Sequence, residues 1–165
     1  LSAVQEKIVP AAAITHLSTG LTIGIHTGDG PAAMACKQIL QAKGVSAEAW
    51  IWIHAQNEKN RELHFLAATA GGWISFDGVN RDTINTCLDF LRDMKREGLL
   101  GKVLLSQDSG WYHVGEINGG SYNDYNFIAD QLIPAMKQDG FSEQEINQLF
   151  ISNPASAFAI KIRKL

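Results

Sequence analysis

Two periods alternate along the chain. Short, nearly continuous apolar runs each end in a polar residue, and a stretch with helical spacing follows. The runs cover residues 21–26 (Leu-Thr-Ile-Gly-Ile-His), 49–54 (Ala-Trp-Ile-Trp-Ile-His), 73–77 (Trp-Ile-Ser-Phe-Asp) and 102–108 (Lys-Val-Leu-Leu-Ser-Gln-Asp). The intervening pattern predicts helices over 31–43, 57–70, 82–97 and 122–138. Pro31 suits a first helical turn, and Gly44, Gly71-Gly72 and Gly98 suit helix ends. An amphipathic helix over 2–19 precedes the first strand. A last short helix starts near Ser142, with Glu145 three residues on to complete a capping box.

Strands alternating with helices imply βαβ units and a parallel sheet, the α/β class. Fully apolar strands such as 50–53 fit sheet positions covered on both faces. Two architectures remain, a doubly wound sheet and a TIM (β/α)8 barrel. Neither carries a nucleotide fingerprint: Gly28-Asp-Gly30 lacks the third glycine of GxGxxG, and no GKS or GKT occurs. The barrel gains from the strand ends, because barrel enzymes build their sites from residues at the C-terminal ends of several strands.

Those end residues are His26, His54, Asp77 and Asp108. Imidazoles with a carboxylate are the usual ligands of zinc and similar cations, which generate hydroxide near neutral pH. Taken singly, each is an ordinary polar strand terminus; four in register point to one site, that of a metal-dependent hydrolase or, alternatively, of a non-catalytic α/β domain that binds a small ligand or of an inactive fragment. Asp77, with Trp111, Tyr112 and His113 in the long loop after the fourth strand, is a candidate for lining a substrate pocket. His16 and His64 fall inside helices and read as surface or packing residues. Cys36 and Cys87 have no basic neighbour to form a thiolate, so neither reads as a nucleophile.

Composition narrows the function further. The 165 residues suit one domain, and 45% hydrophobic with 19% charged residues is a globular composition. A net charge of -3 argues against a nucleic-acid binder. No apolar run is long enough to span a bilayer. Two cysteines without CxxC spacing, and no signal-peptide pattern, favour a reducing, cytoplasmic setting. The chain lacks an initiator Met, which leaves its true start, and hence a periplasmic location, open.

Taken together, His26 in Gly-Ile-His-Thr-Gly, His54 in Trp-Ile-His-Ala-Gln-Asn, Asp77 in Ser-Phe-Asp, Asp108 in Leu-Leu-Ser-Gln-Asp and the closing Asn153-Pro154-Ala155 resemble the C-terminal half of the phosphotriesterase family, within the amidohydrolase superfamily. Asn118-Gly-Gly-Ser-Tyr122 and Leu132-Ile-Pro134 resemble most its phosphotriesterase homology protein branch. The resemblance covers essentially the whole chain. It implies a (β/α)8 barrel of which residues 1–165 supply strands 5 to 8, and a hydrolase of esters, lactones or phosphoesters. It also implies two divalent metal ions, usually zinc, bridged by hydroxide and a carboxylated lysine. His26 and His54 would hold one metal, while Asp108 would bind the other and accept a proton from the bridging hydroxide. The family's first-strand His-X-His pair and fourth-strand lysine have no counterpart here and would precede Leu1. The implied partners are the other barrel half and a small-molecule substrate; a homodimer is compatible. One departure stands out: where phosphotriesterases carry a His after the strand-7 acid and lactonases an Arg, this chain has Gly78, and Asn57 replaces the relay acid.

Overall fold

A computed structural model describes residues 1–122 and 125–165. Four strands, β1 (Ile23–His26), β2 (Trp50–Ile53), β3 (Trp73–Phe76) and β4 (Val103–Leu105), form one sheet in the order β1-β2-β3-β4. All three pairings are parallel, with Ile23 opposite Trp50, Ile51 opposite Trp73 and Ile74 opposite Val103. Helices α1 (Gln5–Thr19), α2 (Gly30–Ala42), α3 (Arg61–Thr69) and α4 (Ile84–Arg96) alternate with the strands, and α5 (Ile133–Gln138), α6 (Glu143–Asn147) and α7 (Asn153–Phe158) follow β4.

Strand alternation divides the sheet into two faces. Ile23, Trp50, Trp52, Ile74, Phe76 and Val103 point to the helices and join Leu40, Leu91 and Met136 in the main core. Ile51, Ile53, Trp73 and Leu104 occupy the other face, where they pack with Ala157. By the same alternation Gly24, His26, Ser75 and Asp77 share that second face, so polar residues succeed apolar ones towards the C-terminal ends of the strands.

The opposite end of the sheet is crossed by the C-terminal segment. Lys161 N–H donates to the Gly20 carbonyl (3.0 Å), Ser46 N–H to that of Arg163 (3.0 Å) and Leu165 N–H to that of Gly44 (3.1 Å). Gly20 sits at φ 75°, and a Cβ there would come within 2.9 Å of the Lys161 backbone, so the close crossing needs glycine. His16, fully buried, ties the same corner: its Nδ1 donates to the Leu21 carbonyl (2.8 Å) and its Nε2 accepts from Arg163 N–H (2.9 Å). It is a packing histidine.

The element ends depart from the sequence pattern in places. β4 stops at Leu105, three residues short of Asp108, and α3 begins at Arg61 behind an Asn60 cap. The helix predicted over 122–138 becomes helical at Phe127; its expected start includes 123 and 124, which lie outside the described residues. The capping box at Ser142 and Glu145 forms, but helical structure then continues to Phe158. Proline explains both late helices. A proline removes one N–H and its ring crowds the carbonyl four residues back. The backbone widens to π turns at Ile128–Leu132, ahead of Pro134, and at Gln148–Ser152, ahead of Pro154, rather than breaking. Among the described residues, no helix is long and apolar enough to cross a membrane.

Candidate metal centre

Three of the four strand-end residues meet at the C-terminal edge of β1, β2 and β3. His26 closes β1, and its Nδ1 lies 3.0 Å from His54 Nε2, the rings meeting edge to face with centroids 4.8 Å apart. His54 follows β2 in the left-handed region, at φ 63°. Asp77 follows β3, and its Oδ1 lies 2.6 Å from His54 Nδ1 while its Oδ2 accepts the His54 backbone N–H at 2.8 Å. Asp108 closes the group from the loop after β4: one ligating atom each of His54, Asp77 and Asp108 lie within 4.8 Å of one another.

Asp77 settles the tautomer of His54. An ionised carboxylate only accepts hydrogen bonds, so His54 Nδ1 carries the proton and Nε2 presents its lone pair. His26 Nδ1–H then donates to that lone pair across the 3.0 Å gap. Two nitrogens bound to one zinc at about 2.0–2.1 Å, at tetrahedral angles, lie about 3.3 Å apart. The observed separation is close to that value, and both rings come from fixed strand ends. The donor set therefore fits a borderline divalent cation.

Asp77 is turned differently from the sequence expectation. The sequence groups it with the pocket residues, yet it is only 4% exposed. Besides His54, its oxygens accept from Gln56 Nε2 (2.8 Å) and Ser75 Oγ (3.1 Å). Such a carboxylate orients a ligand by holding the far nitrogen of its ring. Asp108, by contrast, is exposed and sits at φ 45°. Among the described residues only His54, Asp108 and Asn118 combine a side chain with positive φ. Asp, Asn and His tolerate that region best, and held strain of this kind concentrates at functional sites.

The loop residues are placed less closely. Trp111 is 61% and Tyr112 73% exposed, and the Trp111 indole N–H donates to the Asp108 carbonyl at 2.7 Å. His113 pairs with Glu116 of its own loop at 3.5 Å. The remaining sulfur and imidazole groups belong to the core. Burial pushes the Cys87 thiol up to about 12 and raises that of Cys36, which leaves both as poor nucleophiles. His64 packs against Trp52, Phe76 and Phe90, and its Nε2–H donates to the Ala55 carbonyl at 2.8 Å.

Sequence reasoning passes over Ser75 and Gln56. Ser75 is legible afterwards, because strand alternation puts it on the face of Asp77. Gln56 leaves no such signal: it reaches Asp77 across 21 residues from a short 3-10 turn, Ala55–Asn57.

Comparisons with known proteins bear on the family and the fold. The sequence profile of the Phosphotriesterase family matches residues 1–158. A phosphotriesterase homology protein from Escherichia coli is 26% identical over 96% of this chain and 54% of its own. An N-acetyltaurine hydrolase from Dictyostelium discoideum is 26% identical over 94% of this chain and 46% of its own. The chain thus spans about half the length of the curated relatives it matches. Among solved structures, the Escherichia coli phosphotriesterase homology protein with phosphate in its active site superposes with TM-score 0.83 at 24% identity, covering 95% of this chain and 55% of that one. A lactonase from Listeria monocytogenes superposes with TM-score 0.85 at 24% identity, covering 97% and 51%. The fold is the parallel α/β arrangement of those barrels, about half of which this chain spans.

Proposed function

The chain belongs to the phosphotriesterase family, and from that premise we propose a metal-dependent hydrolase of esters, lactones or phosphoesters. The carrying observation is the approach of His26 Nδ1 and His54 Nε2 to 3.0 Å at adjacent strand ends, with His54 fixed from behind by Asp77. A pair of divalent cations, zinc in the first instance, would supply Lewis acidity and lower the pKa of a bound water to about 7.

The chain's own residues divide the remaining work. His26 and His54 would hold one cation through Nδ1 and Nε2, the His26 proton then moving to its own Nε2. Asp108 would hold the second through its carboxylate, and as general base it would take a proton from the attacking water. Asp77 keeps His54 in the ligating tautomer. Trp111 and Tyr112, with His113, supply the apolar and polar wall against which a small substrate lies. A second half-barrel, closing on the free edges of β1 and β4, would supply the remaining ligands.

The named activities of the relatives support a hydrolase and widen the test to include an N-acyl amide. The test is metal content of the protein together with turnover of aryl esters, lactones, phosphotriesters and an N-acyl amide. Stoichiometric metal, and turnover lost to a chelator and restored by zinc, are expected. A protein that binds small molecules but never takes up stoichiometric metal would be a binding domain instead.

A further inference from the structure

The Asp77 carboxylate, which orients His54, is held from two sides. His54 occupies one side. On the other, Gln56 grips Asp77 twice: its Nε2–H donates to Asp77 Oδ1 at 2.8 Å, and its Oε1 accepts the Asp77 backbone N–H at 3.2 Å. The two bonds reach the side chain and the main chain of one residue, so they fix both the position of Asp77 and the rotation of its carboxylate. Oδ1 is then shared between Gln56 Nε2 and His54 Nδ1, and Oδ2 between His54 N and Ser75 Oγ.

Local structure explains why Gln56 reaches there. His54 turns the chain at φ 63°, and the following 3-10 turn, Ala55–Asn57, carries the side chain of Gln56 back across the end of β3. Space is made by Gly78. A Cβ on Gly78 would lie 3.1 Å from Gln56 Nε2, so any larger side chain there presses on the amide. Gln56 also borders a cavity of about 160 Å³, shared with Asn57, Gly78 and Thr83. Its two hydrogen bonds hold the amide on Asp77 beside that cavity.

We propose that Gln56 is a positioning residue for the metal centre, holding Asp77 against His54 so that His54 keeps its proton on Nδ1 and presents Nε2. The inference rests on the metal-centre reading for its consequence and on the Gln56–Asp77–His54 geometry for its cause. Gly78 takes part in it as the residue that leaves Gln56 its place.

The experiment compares wild type with Gln56→Met, Gly78→Ala and the double variant. Three quantities are read: zinc affinity by chelator competition, the His54 imidazole 15N resonances in metal-free protein, and the melting temperature. Loss of a group that orients a ligating histidine typically weakens metal binding about 10–100-fold, and Gln56→Met is expected in that range. Its His54 spectrum should move from the Nδ1–H form towards a mixture of tautomers. Gly78→Ala should shift both readouts in the same direction, and the double variant should be no weaker than Gln56→Met alone, because both act through one amide. Were Gln56→Met to lower the melting temperature while zinc affinity and the His54 spectrum stayed as in wild type, Gln56 would be a structural tie only, and the proposal would be overturned. If Gln56→Met fails to fold, Gly78→Ala decides alone on the same two readouts. Wild type that takes up no metal would end the metal-centre reading, while the His54 spectrum still decides the role of Gln56.

Discussion

His54 gives two hydrogen bonds to the carboxylate of Asp77: its backbone N–H lies 2.8 Å from Oδ2, and its Nδ1–H 2.6 Å from Oδ1. One buried side chain therefore secures both the left-handed backbone of His54 and the direction of its ring. Asp77→Asn keeps the volume but places an amide N–H₂ where one of the two donors of His54 now points. Zinc affinity about 10–100-fold below wild type is expected, measured by chelator competition. Unchanged affinity would return Asp77 to the role of a loop hydrogen-bonder.

His64 gives the protein an acid-sensitive core. Burial among aromatic rings is the main cause that holds its pKa below the ordinary value of about 6.5. Below about pH 6.5 the unfolded chain binds a proton at this histidine that the folded chain refuses. Stability is therefore fully present above that pH and falls as pH drops towards the depressed folded value. Melting temperatures measured from neutral pH downward should fall in wild type and fall less steeply in His64→Gln. Parallel pH profiles of the two proteins would assign the acid loss elsewhere.

Asn153 shows why the closing Asn-Pro-Ala motif needs its first residue. The side chain is 4% exposed, and its Nδ2 donates to the carbonyls of Leu100 and Val103, both at 2.8 Å. It ties α7 to the start of β4. Asn153→Ala leaves two carbonyls without their donor, at about 1–3 kcal/mol for each buried unsatisfied group. Denaturant unfolding should show a loss in that range; a loss below about 0.5 kcal/mol, the level of ordinary surface substitutions, would contradict the arrangement.

The strands are legible because burial on both faces writes a continuous apolar run into 50–53 and a nearly continuous one, broken by Ser75, into 73–76. Convergence of His26, His54 and Asp77 is legible for a related reason: parallel neighbours put their C-terminal ends side by side. Other features depend on contacts distant in sequence or on backbone torsions. The reach of Gln56 to Asp77 has no local pattern, and nothing at His54 or Asp108 marks a φ of 63° or 45°. The helix predicted over 122–138 runs through Pro134, and no local pattern marks the π turns ahead of Pro134 and Pro154 that carry helical structure through to Phe158. The direction in which Asp77 faces escapes the sequence as well, because alternation assigns it a face and not a partner.

The sheet leaves β1 and β4 each paired on one side only, among the described residues. An unpaired strand edge is a template for association. Residues 1–165 expressed alone are therefore expected to self-associate, or to be rescued by a complementary half-barrel, as read by light scattering after size exclusion. A monodisperse, cooperatively melting monomer would show that these edges are protected.

In the proposed function Asp108 carries the heaviest chemical demand, and its backbone makes the test clean. At φ 45° it sits where Asp and Asn are among the best-tolerated residues, so Asp108→Asn keeps the turn and the shape of the side chain. What is lost is the charge and the oxygen that takes a proton. The Trp111 indole bonds to the main-chain carbonyl of Asp108 and not to its side chain, so the loop stays anchored in the variant. His113 is engaged with Glu116, and a proton taken by Asp108 is therefore expected to leave for water. In the metal-loaded protein, Asp108→Asn should lower kcat on a confirmed substrate by at least about 10²-fold, the effect typical of losing a general base. Metal held by His26 and His54 should remain, as measured by elemental analysis of the same preparation. A variant that kept near-normal kcat would reduce Asp108 to a ligand and move the proton acceptor elsewhere in the site.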